Sequence, residues 1–564
     1  MTLNRRDFVR AGAILAAGAA LPPALRGSPP RLAGVDPSWR LDDPEIKELA
    51  LRGIDAARSA GASYADARLT RIRRRNARAT GIWGNGPIAA ASTSRMLIES
   101  DAVAISVRAL LSGTWGFAAS TVWSADEVSR LGEEAAGQAK DNAAGMGRPI
   151  ELGTIPVVRD GHWVMPVEID PFTVAPDEML DVLASFAYFT ARQSRVFLSS
   201  ALLSMARRET AFASSEGGYV TQVLFGIGGR LSTALPASES TPFPGRTYNI
   251  RGYAPSEMFP MAGRGWEYFA GAPLQDEIER VIAEANEEDR LPLKPLDPKR
   301  YDTVFDAITT ARLLDGTIGA ATELDRALGY EANAGGTSYL NEPLTMLGNH
   351  PMGAPLLTVT AERSMPGGAA TVKWDDEGVE PADFTLLKDG VLMDFQTTRE
   401  SAGLLAEAYA KAGRTARSHG CAGATSALGA QQLQRPNLHL SPGPERLGFD
   451  DLVANLPNGL AVRRAAVDMD FNALNGMVVE EEGYRTMYFE VKRGKKVARL
   501  QPPTVAVLVR APELWKNVLA LGGRDSLQQT EGRTVKGEPQ QTSYHTVEAP
   551  PMLVKQLAVI DPAR

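Results

Sequence analysis

At 564 residues the chain is too long for a single core, so roughly two to four domains are expected. A composition that is 44% hydrophobic and 23% charged excludes general disorder. The formal net charge of −7 argues against a nucleic-acid partner, which needs a basic footprint.

The chain opens MTLNRRDFVRAGAILAAGAALPPALRGSPP. Paired Arg5 and Arg6 precede Asp7, Phe8 and Val9, then Arg10 and a mild apolar run over 11–25. This resembles a twin-arginine export signal; the alternative is a flexible basic tail. The apolar run is shorter than the ~20 residues of a membrane span and holds two prolines, so no retained membrane anchor is expected. Loss of residues 1–26 removes Arg5, Arg6, Arg10 and Arg26 against Asp7 alone, leaving a more acidic product. Cys421 is the only cysteine, which excludes an intramolecular disulfide and lipidation near the signal's end. A soluble periplasmic or extracellular protein is expected.

Residues 27–41 read as a Pro- and Gly-rich, disordered lead-in. Helical spacing then runs from Ile46 through Leu49, Leu51, Ile54 and Ala57 to Gly61. Strand-like runs follow at 65–72 and 102–109, and Ser124 with Glu127 marks a helix start after TWGFAAS. RIRRRNAR (71–78) places five arginines on one of these strands; a solvated face is the plain reading, an anion or partner contact the other. A helix is expected over 177–192, then strands, then the proline-bearing boundary EEDRLPLKPLDPKR (287–300). Beyond it lie a strand at 301–307 and hairpin-like runs at 370–374, 384–387, 391–395 and 487–500. The expected fold class is α+β: an α/β-type N-terminal domain (42–149), a mixed central domain (150–299) and a β-rich C-terminal domain (300–564).

The stretch LDGTIGAATELDRALGYE (314–331) carries Leu314, Ile318, Ala321, Leu324 and Leu328 at helical spacing, so one amphipathic helix ending at Gly329 is expected. Glu323, Asp325, Arg326, Tyr330 and Glu331 cluster at its end, before the glycine-rich turn AGGTS (334–338). TELDRALGYEANAGGTSYL (322–340) resembles the PmbA/TldD family, metallopeptidase-like proteins once described as modulators of DNA gyrase. AVAISVRALLSGTWGFAAS (102–120), WDDEGVEPADFTLLKDGVLMDF (374–395) and VLVRAPELWKNVLALGG (507–523) extend the resemblance over most of the chain.

The resemblance implies an HExxxH motif directly upstream of TELDRALGYE, with two zinc-binding His, a Glu base and a third Cys ligand near the C-terminus. Here DGTIGA stands at that place: Asp315 and Ala320 at the His positions, Gly316 at the Glu position. TVKGEP puts Thr534 at the Cys position, or Val535 if the alignment slips by one. These substitutions leave no catalytic residue and no metal set in this chain. The five histidines (His162, His350, His419, His439 and His545) form no HExxH or HExxxH, and His419 with Cys421 is a weak metal candidate. A G-x-S-x-G elbow, a Walker loop and a dinucleotide fingerprint are absent, GIGG (226–229) being incomplete.

The expected function is that of a non-catalytic subunit of a TldD/TldE-type complex, with zinc held by a paralogous partner and an extended peptide as substrate. Glu323, Asp325, Arg326, Tyr330, Glu331, Gly336 and Thr337 are the candidate substrate-holding residues; the same groups could equally cap and brace the helix end. A peptidase with a metal on Asp315, Glu323 and a distant His, or a stand-alone peptide-binding scaffold, are the alternatives.

Overall fold

The computed structural model describes residues 40–560 except 83–91, 146, 192–197, 237–249, 254–258, 272–275, 277–278, 280–289, 480–485 and 502–505. The twin-arginine segment and nearly all of the lead-in lie outside the described residues. No described helix is long and apolar enough to cross a membrane.

The first layer is a sheet, antiparallel except where β4 pairs with β6, built on β1 (Tyr64–Ile82), flanked by β2 (Ser92–Leu111) and β5 (Leu198–Ser214). β3 (Thr114–Ser120) extends it beyond β2; β6 (Tyr219–Pro236) and β4 (Gly161–Val164) extend it beyond β5. Strand alternation explains how one sheet serves two neighbours. Ala65, Ala67 and Leu69 point to the helices Pro44–Ser59 and Ala125–Asn142, sharing a core with Ile54, Val128 and Leu131. Asp66 and Arg68, on the opposite face, turn toward the C-terminal domain. Both helices start as their sequences dictate: Asp43 and Ser124 accept hydrogen bonds from Glu45 N and Glu127 N.

Two differences from the sequence reading stand out here. The N-terminal segment is not α/β in the sense of parallel strands joined by crossover helices, because β1, β2 and β3 form an antiparallel meander. Segments 42–149 and 150–299 also share this sheet, so the division near 149 falls inside one folded layer.

The arginines of 71–78 divide by strand parity. Arg71 pairs with Asp101 at 2.7 Å and Arg75 with Glu99 at 2.6 Å, while Arg73 and Arg75 lie over the Phe172 ring. Arg74 faces the other way, donating to Thr425 O of the C-terminal domain at 3.0 Å.

The C-terminal domain holds a ten-stranded and a six-stranded sheet. In the larger, Arg300–Phe305 lies between Asn458–Arg463 and Met552–Ile560. The smaller runs in the order Val391–Leu392, Phe384–Lys388, Val359–Glu362, Asn437–Leu440, Gln541–Ala549 and Gln528–Lys536, which leaves the last as an edge. Phe305, Leu314, Ile318, Val359, Leu438, Val547 and Val554 join both sheets and the helix Ala307–Leu314 in one core. Each such side chain contributes about 1.5–3 kcal/mol relative to an exposed one.

Two local expectations are corrected in this domain. Residues 370–374 are not a strand: their backbone is taken up by side chains, with Ala370 N donating to Asn437 Oδ1 and Trp374 N to Gln222 Oε1. The single helix expected over 314–328 is instead Ala307–Leu314, a π-helical turn Asp315–Gly319 and a short helix Leu324–Ala327. The break falls where the Thr322 hydroxyl bonds back to Ile318 O at 2.8 Å and Glu323 forms a bridge with Gln396. Gly329 does adopt the left-handed conformation that ends such a segment, at φ +83°.

Candidate functional site

Asp306 caps the helix Ala307–Leu314, accepting from Thr309 N at 2.9 Å, and the helix delivers Asp315 to a cavity of about 1200 Å³. The cavity separates the two layers of the molecule. Arg74, Arg208 and Leu224 line it from the N-terminal sheet; Asp315, Gly316, Ala320, Thr534 and Val535 line it from the C-terminal domain. All the positions where the family resemblance implies a ligand or a base therefore face one space. The π-helical turn there is braced by Trp515, whose Nε1 donates to Thr317 Oγ1 at 2.8 Å.

What surrounds Asp315 is an ion-pair network. Its carboxylate accepts from Arg435 Nη1 at 2.5 Å and from His545 Nε2 at 2.6 Å. Because an ionised carboxylate only accepts, Nε2 carries the proton; the buried Nδ1 of His545 has no hydrogen-bond partner among the described residues. Arg435 reaches on to Glu323, Nε to Oε1 at 3.3 Å, and so bridges the two acids. Glu323 also accepts from Arg326 at 3.1 Å and lies 3.6 Å from the Lys536 ammonium. Lys536 pairs more closely with Asp325, at 2.6 Å.

The electrostatics follow from that arrangement. Burial alone would favour the neutral acid at Asp315, but Arg435 and then His545 outweigh it and hold the carboxyl well below the usual range. Glu323 is fully buried, yet Arg435, Lys536 and Arg326 bring it down to about 2. At Asp325 burial prevails over Lys536 and, with Glu323 nearby, pushes the carboxyl up. Glu323 thus carries the negative charge that the three cations share.

The TVKGEP segment and the 322–340 stretch meet. Besides the Lys536–Asp325 pair, Gly537 N and Gly335 N both donate to Glu331 Oε2 at 3.0 Å. Of the candidate substrate-holding residues, Arg326 lines the cavity, whereas Glu323, Asp325 and Glu331 are buried beneath it as partners of these cations and amides. Tyr330 lies apart from them and is 59% exposed. Thr337 N donates to Phe471 O at 2.9 Å, which pins the glycine-rich turn to the cavity rim.

Gly336 makes that contact possible. Its φ is +96°, and a Cβ there would stand 2.0 Å from Phe471 O. Gly336→Ala is therefore expected to destabilise the fold by more than about 1 kcal/mol. Gly329, also at positive φ but with open space around it, isolates the purely conformational part. Thermal melts of both alanine variants test this, and an equal loss in the two would show that the Phe471 contact carries no weight.

Arg435, Lys536 and His545 were not singled out from sequence as site residues. His545 was visible only as one of five histidines, and nothing local marks Arg435 or Lys536. His419 is buried against the Phe384 ring, with centroids 3.9 Å apart, and bonds Thr397. Cys421 is buried, which pushes its thiol up to about 12. His350 sits in a loop after Met346. Among the described residues no group of three or more His, Cys, Asp or Glu side chains is placed to hold a metal ion.

Comparisons with known proteins place this geometry. Residues 298–561 match the family model of the PmbA/TldA metallopeptidase C-terminal domain. A protein of Methanothermobacter thermautotrophicus named metalloprotease is 25% identical over 370 residues, covering 63% of this chain and 69% of its own. A putative modulator of DNA gyrase from Bacteroides thetaiotaomicron has the same fold, with a TM-score of 0.64 at 13% identity over 92% of this chain and 99% of its own. Another from Thermotoga maritima scores 0.64 at 15% identity over 91% and 100%. TldE from Thermococcus kodakarensis scores 0.60 at 14% identity over 91% and 99%.

Proposed function

We propose that this chain, whose residues 298–561 match the model of the PmbA/TldA metallopeptidase C-terminal domain, is an exported, non-catalytic subunit that pairs with a zinc-bearing paralogue and helps to hold extended peptides. The observation that carries the reading is the guanidinium of Arg435 between Asp315 and Glu323. The residues present do not fit a zinc ion, which takes three protein ligands and an open position. Gly316 and Ala320 have no donor atoms, the lone carboxylate of Asp315 is committed to Arg435 and His545, and Thr534 offers a hydroxyl where a thiolate would stand. A fixed cation also opposes the approach of a second one.

The peptide-holding part rests on the cavity and on the edge strand Gln528–Lys536, whose Glu531, Arg533, Thr534 and Val535 line it. An extended peptide added beside an edge gains main-chain hydrogen bonds with little demand on its sequence. Export rests on the Arg5–Arg6 pattern, and pairing on the division of labour that the family resemblance implies. A metal on Asp315, Glu323 and a distant His finds no support, since Glu323 is already shared by Arg435, Arg326 and Lys536.

Native mass spectrometry of the mature protein, purified gently from its own host, tests this reading. The expected result is a complex with a homologous chain and a zinc mass attributable to that chain. A homo-oligomer carrying one metal per chain would overturn it.

A further inference from the structure

The outer edge of β2 is open over much of its length. On one side β2 pairs with β1 throughout, from Leu110 opposite Tyr64 to Ser92 opposite Ile82, with no bulge. On the other side β3 covers it only from Ile105, opposite Ser120, to Leu111, opposite Thr114. Among the described residues no strand pairs with that outer edge over 92–104. The stretch reads STSRMLIESDAVA and holds neither proline nor lysine, two residue types that blunt a sheet edge. Residues 94–96 and 98–101 are exposed, and Met96 and Ile98 are large apolar side chains at 45% and 53% exposure.

An edge of this kind presents unpaired N–H and C=O groups to a strand of another chain. Its own side chains match a second copy. When two copies meet antiparallel about a two-fold axis at Leu97, Met96 of each stands opposite Ile98 of the other, Ser94 opposite Ser100, and Arg95 opposite Glu99. The two-fold repeats each pair, so two apolar and two opposite-charge pairs form, the kinds that stabilise directly facing positions. Moving the axis by one residue loses the match: at Ile98 it faces Leu97 with Glu99, and at Met96 it faces Arg95 with Leu97. The charges remain able to take a further partner. Arg95 donates to Asp181 through Nη1 at 2.5 Å, and Glu99 accepts from Arg75 through Oε1 at 2.6 Å, which leaves the other guanidinium nitrogens and Oε2.

We propose that the 92–104 edge of β2 is a self-association surface, at which two copies of this chain join their N-terminal sheets antiparallel about Leu97. The axis stands perpendicular to the joined sheet, so both cavities lie on the same side of it. Ile98 is opposite Asn76 and Ser100 opposite Arg74, and Asn76 and Arg74 line the cavity. The joined strands therefore carry the wall of each cavity on toward the other copy. This pairing goes beyond the peptide-holding reading and does not depend on it.

Sedimentation velocity of the full-length chain over a range of concentrations is expected to show a monomer–dimer equilibrium. Arg95→Glu and Glu99→Arg each set like charges opposite one another twice, and each is expected to raise the dimer dissociation constant at least about tenfold. An equimolar mixture of the two variants again faces opposite charges at both positions and is expected to dimerise as the parent does. Register is read separately. Ser94→Cys mixed with Ser100→Cys is expected to give a disulfide-linked dimer on mild oxidation, while neither does so alone; the one native cysteine, Cys421, is buried. A parent that stays monomeric, or a dimer that survives both charge reversals, overturns the proposal. Cross-links that form only to a homologous chain, in the complex purified from the host, also overturn self-pairing and assign the edge to that partner. None of these results touches the peptide-holding reading.

Discussion

Arg435→Ala is expected to lower the free energy of unfolding by about 3–5 kcal/mol, the range for removing one partner of a buried charge pair. Arg435 is 4% exposed and carries two acids, Asp315 at 2.5 Å and Glu323 at 3.2 Å. Without it Asp315 keeps only His545, and the fully buried Glu323 keeps Arg326 and the more distant Lys536. The companion variant separates charge from shape. In Asp315→Asn/Arg435→Met one acid and its counter-charge leave together, so the loss is expected to be smaller than the sum of the single substitutions. Chemical denaturation of the four members of the cycle reads this directly, and simple additivity would show that the pair is not coupled.

The pH dependence has a definite sign. Glu323, held at about 2 in the folded chain, contributes stability that is fully present above its unfolded value and disappears as pH falls toward 2. Asp315, also held low, acts in the same direction. Acid resistance of this region is therefore expected to shrink in Arg435→Ala, with unfolding beginning at a higher pH than in the parent.

Asp376→Ala is the second large effect, and it acts between the layers. The Asp376 carboxylate accepts from Arg68 at 2.8 Å and Arg208 at 2.6 Å, both on the N-terminal sheet, and from Ala424 N at 2.8 Å. Arg108 adds a parallel clamp to Asp66 and Glu377. Burial by itself would raise Asp376, but Arg208 and Arg68 outweigh it and keep it ionised. Removal leaves two guanidinium groups facing an apolar replacement, at a cost of about 3–5 kcal/mol. Limited proteolysis is expected to show the N-terminal sheet separating from residues 298–561 at a denaturant concentration where the parent is intact. Unchanged cleavage would mean that the Arg108 clamp suffices alone.

Much of this was legible in the sequence where the determinants are local. Ser124 and Glu127 marked a helix start that the structure places at Ala125, and the alternation at 65–72 belongs to a strand twice as long as it looked. The hairpin-like runs at 384–395 and 487–500 turn at Asp389–Gly390 and Arg493–Gly494, with positive φ throughout. Asp315, Gly316, Ala320 and Thr534, the positions singled out through the family resemblance, line one cavity. Three things were not legible. The helix period over 314–328 continues through Thr322, and only the tertiary bridge from Glu323 to Gln396 breaks it. Lys536 and His545 lie on adjacent strands and Arg435 in the link before Asn437–Leu440, so their meeting depends on tertiary pairing, which no local pattern encodes. The shared N-terminal sheet was hidden for the same reason: β1 pairs with β5 across more than a hundred residues.

That topology also fixes an order of events during synthesis. Arg300–Phe305 opens the C-terminal domain, but its antiparallel neighbour Met552–Ile560 is made long after it. The ten-stranded sheet closes around that late strand, so the helix carrying Asp315 and the floor beneath it wait, half-built, until residue 560 has emerged. Pairings so far apart in sequence form slowly and leave apolar strand faces open meanwhile. For this chain, demand on chaperones is expected to last until Met552–Ile560 has found Arg300–Phe305.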